Sequence, residues 1–221
     1  MKKTTAILLV FALVFALASC TGSGEPTDRA STGENTSISA ESVSTATESE
    51  ALENDAGVQK ALVAYFSATG TTKGVAQQIA GGLSCDLYEI TPQDPYTDAD
   101  LNYSDANSRT TSEMNDENAR PAISGAVSNM AQYDVVFLGY PIWWGEAPRI
   151  ISTFLESYDF TGKTIVPFCT SGSSGISSSV SSLKPLTSGA TWLEGQRFGG
   201  GASDETVMEW VRSLNLAPDT Q

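Results

Sequence analysis

Ala61-Leu62-Val63-Ala64-Tyr65-Phe66-Ser67-Ala68-Thr69-Gly70-Thr71-Thr72 is an apolar run of strand length that passes, without a spacer, into a turn of hydroxyls and glycine. An uninterrupted apolar strand is one covered on both faces, the condition of a parallel sheet packed between helices. The arrangement recurs twice. Val135-Val136-Phe137-Leu138-Gly139-Tyr140 runs into Pro141-Ile142-Trp143-Trp144-Gly145, and the apolar run 164–169 runs into Thr170-Ser171-Gly172-Ser173-Ser174-Gly175. Ligands of an open α/β sheet sit where the carboxyl ends of its strands meet the loops, at the point where strand order reverses. The three turns are therefore candidates for one shared site.

The first turn has the chemistry of a phosphate nest: hydroxyls and bare backbone amides at the start of a helix, with Lys73 as the nearby cation. The second turn offers two adjacent indoles. Together they point to a phosphorylated, planar cofactor. The absence of a Walker pattern weighs against a nucleotide hydrolase.

Outward from these turns, strands and helices alternate. Val75, Ile79 and Leu83 fall four apart on one helical face that ends at Gly81-Gly82. Residues 87–90 read as a second strand, and residues 91–118 as a long polar stretch whose only aromatics are Tyr96 and Tyr103, with weak helical periodicity over 103–118. Pro148 opens a helix where its missing N–H is harmless, with Ile150, Ile151, Phe154, Leu155 and Tyr158 inward. A short helix spans 176–183, and Thr191 begins a fifth strand extended to Phe198. Ser203 caps a last helix with Val207, Trp210, Val211 and Leu214 on one face. Five strands alternating with helices predict an α/β fold with a doubly wound parallel sheet and right-handed crossovers.

Composition excludes several chemistries. The chain carries 26 acidic residues against 12 basic ones, which argues against a nucleic-acid partner, whose phosphates need a basic footprint. It contains no histidine, so no imidazole base, His triad or His-ligated metal is available. Cys85 and Cys169 lack metal spacing and lie on strands expected not to be neighbours; they read as small buried thiols.

Residues 1–19 read as a secretory signal: Lys2 and Lys3 precede an apolar run of about a dozen residues, shorter than the roughly 20 that a membrane span needs. The run ends in Leu17-Ala18-Ser19-Cys20, which resembles a bacterial lipobox, implying cleavage and lipidation of Cys20. Residues 20–57 are Ser-, Thr- and Glu-rich, too polar to offset their ordering entropy, and are expected to form a disordered tether with a span of roughly 30 to 35 Å. Residues 58–221 are left as one domain. The expected location is extracytoplasmic, anchored to the bacterial cell membrane through lipid on Cys20.

From residue 60 to 216 the chain resembles the flavodoxin-like family. Tyr65 through Thr72 is similar to its FMN phosphate loop, and the runs 139–145 and 166–172 are similar to a bacterial flavodoxin subgroup with a Tyr-Pro-Ile-Trp-Trp-Gly turn. The resemblance implies a five-stranded sheet in the order 2-1-3-4-5 with helices on both faces, and FMN at the edge formed by strands 1, 3 and 4. It implies phosphate binding by Ser67, Ala68, Thr69, Gly70, Thr71 and Thr72, and ring contact from Pro141, Ile142, Trp143, Trp144 and Gly145. Thr170, Ser171, Gly172 and Gly175 would close the polar edge of the ring. The third turn departs from the family pattern in having no aromatic, which leaves one ring face open unless Tyr96 or Tyr103 folds over it. Arg120-Pro121 also resembles a family pattern; Arg120 meets either the flavin's polar side, a substrate or a surface acid. Residues 188–191 are similar to the end of a covalent flavinylation motif, but Pro185 stands where that motif needs an acid, and the reading is rejected.

Two oxidoreductase functions and one other follow from the resemblance. The first is a tethered, non-covalent FMN electron carrier that docks on a redox protein partner. The second is an FMN-dependent NAD(P)H reductase of a small acceptor such as a quinone. The third is a flavin-free surface or binding module that keeps the fold.

Overall fold

The computed structural model describes residues 59–216. The expected signal, Cys20 and the tether lie outside them. No helix among the described residues is long and apolar enough to cross a membrane.

The elements are β1 (Ala61–Tyr65), α1 (Thr71–Leu83), β2 (Asp86–Glu89), β3 (Thr91–Pro92), α2 (Arg109–Asn115), β4 (Ile123–Ser124), β5 (Val135–Pro141), α3 (Arg149–Glu156), β6 (Thr164–Thr170), α4 (Ser177–Leu183), β7 (Thr191–Trp192), β8 (Gln196–Phe198) and α5 (Asp204–Ser213). The main sheet runs β2-β1-β5-β6-β7, with β8 also on β6, and every pairing in it is parallel. The expected doubly wound order is borne out. Alternate residues of the inner strands feed two cores. Leu62, Ala64, Val136 and Leu138 pack with Ile150, Ile151 and Phe154 of α3, and Val63, Val135, Phe137 and Val166 pack with Ile79 of α1 and Val207 of α5. Coverage on both faces is why these strands are apolar at every position.

Four expectations need correction. The fifth strand is not continuous from Thr191 to Phe198 but splits into β7 and β8. Leu193 N donates to Ile165 O and Ser171 N donates to Phe198 O, so the odd-numbered residues of β6 face this edge, and Pro167, which has no N–H, sits among them where the strand breaks. Gly195 fills the break because a Cβ there would lie 2.8 Å from Ile176 and 2.9 Å from Pro167. Gly81-Gly82 does not stop α1, which runs on to Leu83 and ends at Ser84 with φ 51°. A Cβ on Gly82 would meet the thioether end of Met208, so the glycine leaves room for that side chain between α1 and α5. The helix expected over 103–118 is confined to Arg109–Asn115. Strand two sits one residue earlier than expected.

The polar stretch after β2 is organised by short elements that its periodicity does not reveal. β3 and β4 pair antiparallel across it, and Tyr96 is drawn into the core between Phe66 and Trp143. Cys85 and Cys169 are both free, and Cys169 on β6 is buried as expected, but Cys85 lies just before β2 and is only half-buried, because β2 is the edge strand of the sheet.

Candidate functional site

β1, β5 and β6 are neighbours, so their carboxyl ends bring the three turns together. They line one cavity of about 350 Å³ with Ser67, Ala68, Thr69, Thr71 and Thr72 from the first turn, Pro141, Ile142 and Trp143 from the second, and Thr170, Ser171 and Gly172 from the third. That volume lies within the range of small-ligand sites, about 300–1,000 Å³. Leu101, Tyr103 and Gly200 complete the wall. Of these, Gly200 had a signal in the Gly199-Gly200-Gly201 run; Leu101 had none beyond being an apolar residue in a polar stretch.

Direct bonds join the turns. Thr72 Oγ1 and Thr170 Oγ1 are 2.8 Å apart in a buried hydroxyl pair between the first and third turns. Ile142 N donates to Thr170 O at 3.1 Å, joining the second turn to the third. Ser171 N donates to Phe198 O at 3.1 Å and Arg197 donates to Ser171 O at 3.0 Å, which hold the third turn against β8.

The first turn is built to receive an anion. Gly70, at φ +87°, precedes α1 and has no side-chain cap, so the turn leaves the helix N-terminus open. Among the described residues, no amide from Ser67 to Thr72 has a hydrogen-bond partner. Unpaired donors at a helix N-terminus form an anion site through both their geometry and the helix dipole. Lys73 takes no part in it, because its Nζ lies 2.9 Å from Glu89 Oε2, which also accepts from Tyr65 OH at 2.8 Å. Partial burial pulls the Glu89 carboxyl up, but the bonds from Lys73 and Tyr65 outweigh it and hold the group below its ordinary value.

The two indoles of the second turn have opposite fates. Trp143 is 5% exposed and packs edge-on to Phe66 and Tyr96, with centroids 5.5 and 5.3 Å away. Trp144 is 41% exposed, at φ 49°, and lies against Tyr103 with centroids 4.5 Å apart and the planes tilted by 33°. The turn closes through Trp143 N to Glu146 O and Glu146 N to Trp143 O, both 2.9 Å. Gly70, Trp144, Gly145 and Gly175 are near the cavity in sequence but do not line it. Arg120 is held away from the cavity: its guanidinium makes a two-pronged bond to Glu156 at 2.7 and 2.8 Å. Cys169 is buried, and burial pushes its thiol up to about 12, so it supplies no thiolate at neutral pH. The described residues contain no cluster suited to a metal ion.

A second cavity, of about 700 Å³, opens at the other end of the strands between the ends of α1 and α5. It is larger but mostly apolar-walled, with no converging set of free amides. The donors place the candidate site at the three turns.

The sequence model of the family described as Flavodoxin matches residues 60–214. Among solved structures, a Bacteroides eggerthii protein designated a flavoprotein is 45% identical, with 72% of this chain and 99% of that chain covered and a TM-score of 0.68. Its counterpart from Bacteroides uniformis is 48% identical, with 70% and 98% covered and a TM-score of 0.67. A flavoprotein of Lactobacillus acidophilus in complex with FMN is 23% identical, with 70% and 99% covered and a TM-score of 0.55; at that identity the likeness is one of fold. No curated protein matches the chain.

Proposed function

The chain belongs to the flavodoxin family, and on that premise we propose that it is a membrane-tethered, extracytoplasmic flavoprotein that binds FMN without a covalent bond and carries electrons. The observation that carries this reading is the row of unpartnered amides from Ser67 to Thr72, opening onto the cavity that all three turns share. It is supported by relatives designated flavoproteins and by a protein of the same fold in complex with FMN.

FMN, when bound, supplies one- and two-electron chemistry. The chain's residues do the rest. Amides 67–72 and the hydroxyls of Ser67, Thr69 and Thr71 would hold the phosphate. The Thr72–Thr170 pair fixes the distance between the phosphate turn and the third turn. Pro141, Ile142 and Trp143, which line the cavity from the second turn, would meet the ring. Residues 91–118 carry seven acids against a single arginine, and Tyr103 and Leu101 of that segment line the cavity. The net negative charge of that segment would disfavour added charge on the ring, lower its reduction potential, and favour a basic redox partner.

The test is to titrate the full chain with FMN and follow flavin fluorescence and absorbance. Quenching with a saturable midpoint is expected; no quenching at micromolar protein would remove the reading and leave a flavin-free module. Anchoring is tested separately: Cys20→Ser should release the protein from membranes, and membrane retention of that variant would refute lipidation as the anchor.

One observation favours a second reading. The third turn contributes Ser171 and Gly172 to the cavity and no aromatic. A ring left open on that side would be accessible to a small acceptor, as in an FMN-dependent NAD(P)H:quinone reductase. Steady-state quinone turnover with NAD(P)H supports this activity; electron transfer to protein partners alone supports the carrier.

A further inference from the structure

The β6–β8 ladder stops one bond short of its own pattern beside the cavity. In a parallel pair, each residue that faces its neighbour donates to one residue of it and accepts from the residue two further on. Ile165 accepts from Leu193 N, and Ser171 N donates to Phe198 O. Thr170 pairs with Phe198, so in this register the next bond would run from Gly200 N to Ser171 O. That bond is not made. Arg197 takes the oxygen instead, with Nη1 at 3.0 Å from Ser171 O. Among the described residues this is the one bond of the Arg197 side chain, and the guanidinium has no ion pair.

A side chain thus stands in for a backbone N–H. The N–H that it displaces, that of Gly200, has no partner among the described residues. Gly200 shares the cavity wall with Thr69, Thr71 and Thr72, and a Cβ on it would lie 3.9 Å from Thr71 Cγ2. The free N–H therefore stands across from the unpaired amides of the first turn. A second tie holds the strap 199–202 from the side of α1. Gln78 Nε2 donates to Ala202 O at 3.1 Å, while Gln78 Oε1 is buried without a partner. A buried acceptor left alone costs stability. An apolar residue at 78 would avoid that cost and lose the tie. Between the two ties the chain turns at Gly201, φ +81°, towards Ser203, whose Oγ accepts from Thr206 N at the start of α5.

We infer that the Gly200 N–H is a phosphate donor from outside the first turn, and that Arg197 and Gln78 are the positioning residues that keep it free for the anion. This rests on the FMN reading above and adds to it a wall opposite the first turn. Arg197 acts through Gly200: without its guanidinium the ladder closes by one more bond, and the donor goes to Ser171 O. The strap thereby selects a phosphorylated ligand over the same ligand without phosphate.

The experiment uses the full chain, with FMN, riboflavin and inorganic phosphate as probes. Arg197→Met and Gln78→Met each remove one tie and keep an unbranched side chain. A hydrogen bond to a charged group is worth about tenfold in affinity or more, so each variant should bind FMN about tenfold more weakly and riboflavin within about twofold of the wild type. A merely structural role would weaken both ligands alike. The Gly200 amide, followed in proton–nitrogen correlation spectra, gives the second readout. In the unliganded wild type it should exchange freely with solvent. FMN or inorganic phosphate should shift it and slow its exchange, and riboflavin should not. In Arg197→Met it should be protected before any ligand is added, having gone to Ser171 O. Thermal melts confirm that each variant is folded. If the wild type binds FMN with no change at Gly200, or the variants lose riboflavin as much as FMN, the strap is overturned and the FMN reading stands. Free exchange of Gly200 in Arg197→Met would overturn the part given to the arginine. If the wild type does not bind FMN but phosphate alone shifts Gly200, the donor stands and the FMN reading falls; with neither response, both fall.

Discussion

The two ends of the sheet carry cavities of opposite chemistry. At the amino ends of the strands, about 700 Å³ is walled largely by Leu83, Val135, Phe137, Met208, Val211 and Leu216. At the carboxyl ends, about 350 Å³ is walled by the hydroxyl-rich first and third turns together with Pro141, Ile142 and Trp143 of the second and Leu101 and Tyr103. Size favours the first end and donor chemistry the second. A ligand site is defined by a few placed polar groups on an apolar wall more than by volume. The amino end is where α1 packs on α5, with the Met208 side chain lying against Gly82. The upper end leaves a row of amides unpaired, a cost to stability that a bound anion offsets.

If the two ends divide stability from binding, substitutions should separate the two. The largest effect is expected from Phe137→Ala. This side chain is fully buried in β5 between Val63 of β1 and Val166 of β6, and its ring packs edge-on to Trp210. Its loss should cost about 3–5 kcal/mol in denaturant unfolding. The folded fraction should keep its FMN affinity. A parallel loss of affinity would show that the ends are coupled through the sheet.

The intermediate effect lies at the upper end. Thr72→Val removes one half of the buried hydroxyl pair and strands Thr170 Oγ1, at a cost to stability of about 1–3 kcal/mol. It should also weaken FMN by about tenfold, because the first and third turns lose the bond that sets their spacing. Adding Thr170→Val removes the stranded partner and should recover stability without recovering affinity. Recovery of both would make the pair a packing device with no part in the site.

The same division governs what could be read in the sequence. The strands and the three turns were legible because burial on two faces leaves a continuous apolar run, and because glycine and hydroxyls are needed where the backbone turns back at a strand end. The break in the fifth strand was legible only in retrospect, through Pro167 on a neighbouring strand; its cause is a pairing, which no local pattern carries. Tyr96, Leu101 and Tyr103 belong to a segment shaped by local bonds such as Thr97 N to Asp100 Oδ2 and Ser104 N to Asn102 Oδ1. Such turns leave no periodicity. The pair Trp143-Trp144 shows the limit most clearly. Composition identified two indoles at a strand exit, but only the left-handed turn at 144–145 decides that one is buried and the other exposed. Arg120 reads in the sequence equally as a ligand contact or a surface ion pair, and Glu156, 36 residues away, takes it.

The smallest expected effect tests whether the phosphate turn works without a cation. Lys73 lies beside that turn in sequence, yet its ammonium is held by Glu89, and both side chains are more than two-fifths exposed. Lys73→Ala should therefore leave FMN affinity within about twofold, and cost stability less than about 1 kcal/mol, as exposed pairs do. The pH dependence gives the sign. Glu89 has a folded-state value below its ordinary one, so its contribution is present above the ordinary carboxylate value of about 4.3 and is lost as pH falls through the folded value. With Lys73 removed, one of the two bonds opposing burial is gone, and the carboxyl rises. The acid limb of the stability curve should then be shallower, with the small loss of stability appearing above the ordinary carboxylate value and vanishing at lower pH. A tenfold loss of FMN at neutral pH in Lys73→Ala would mean that the lysine leaves Glu89 for the phosphate, and that the unpaired amides alone do not hold it.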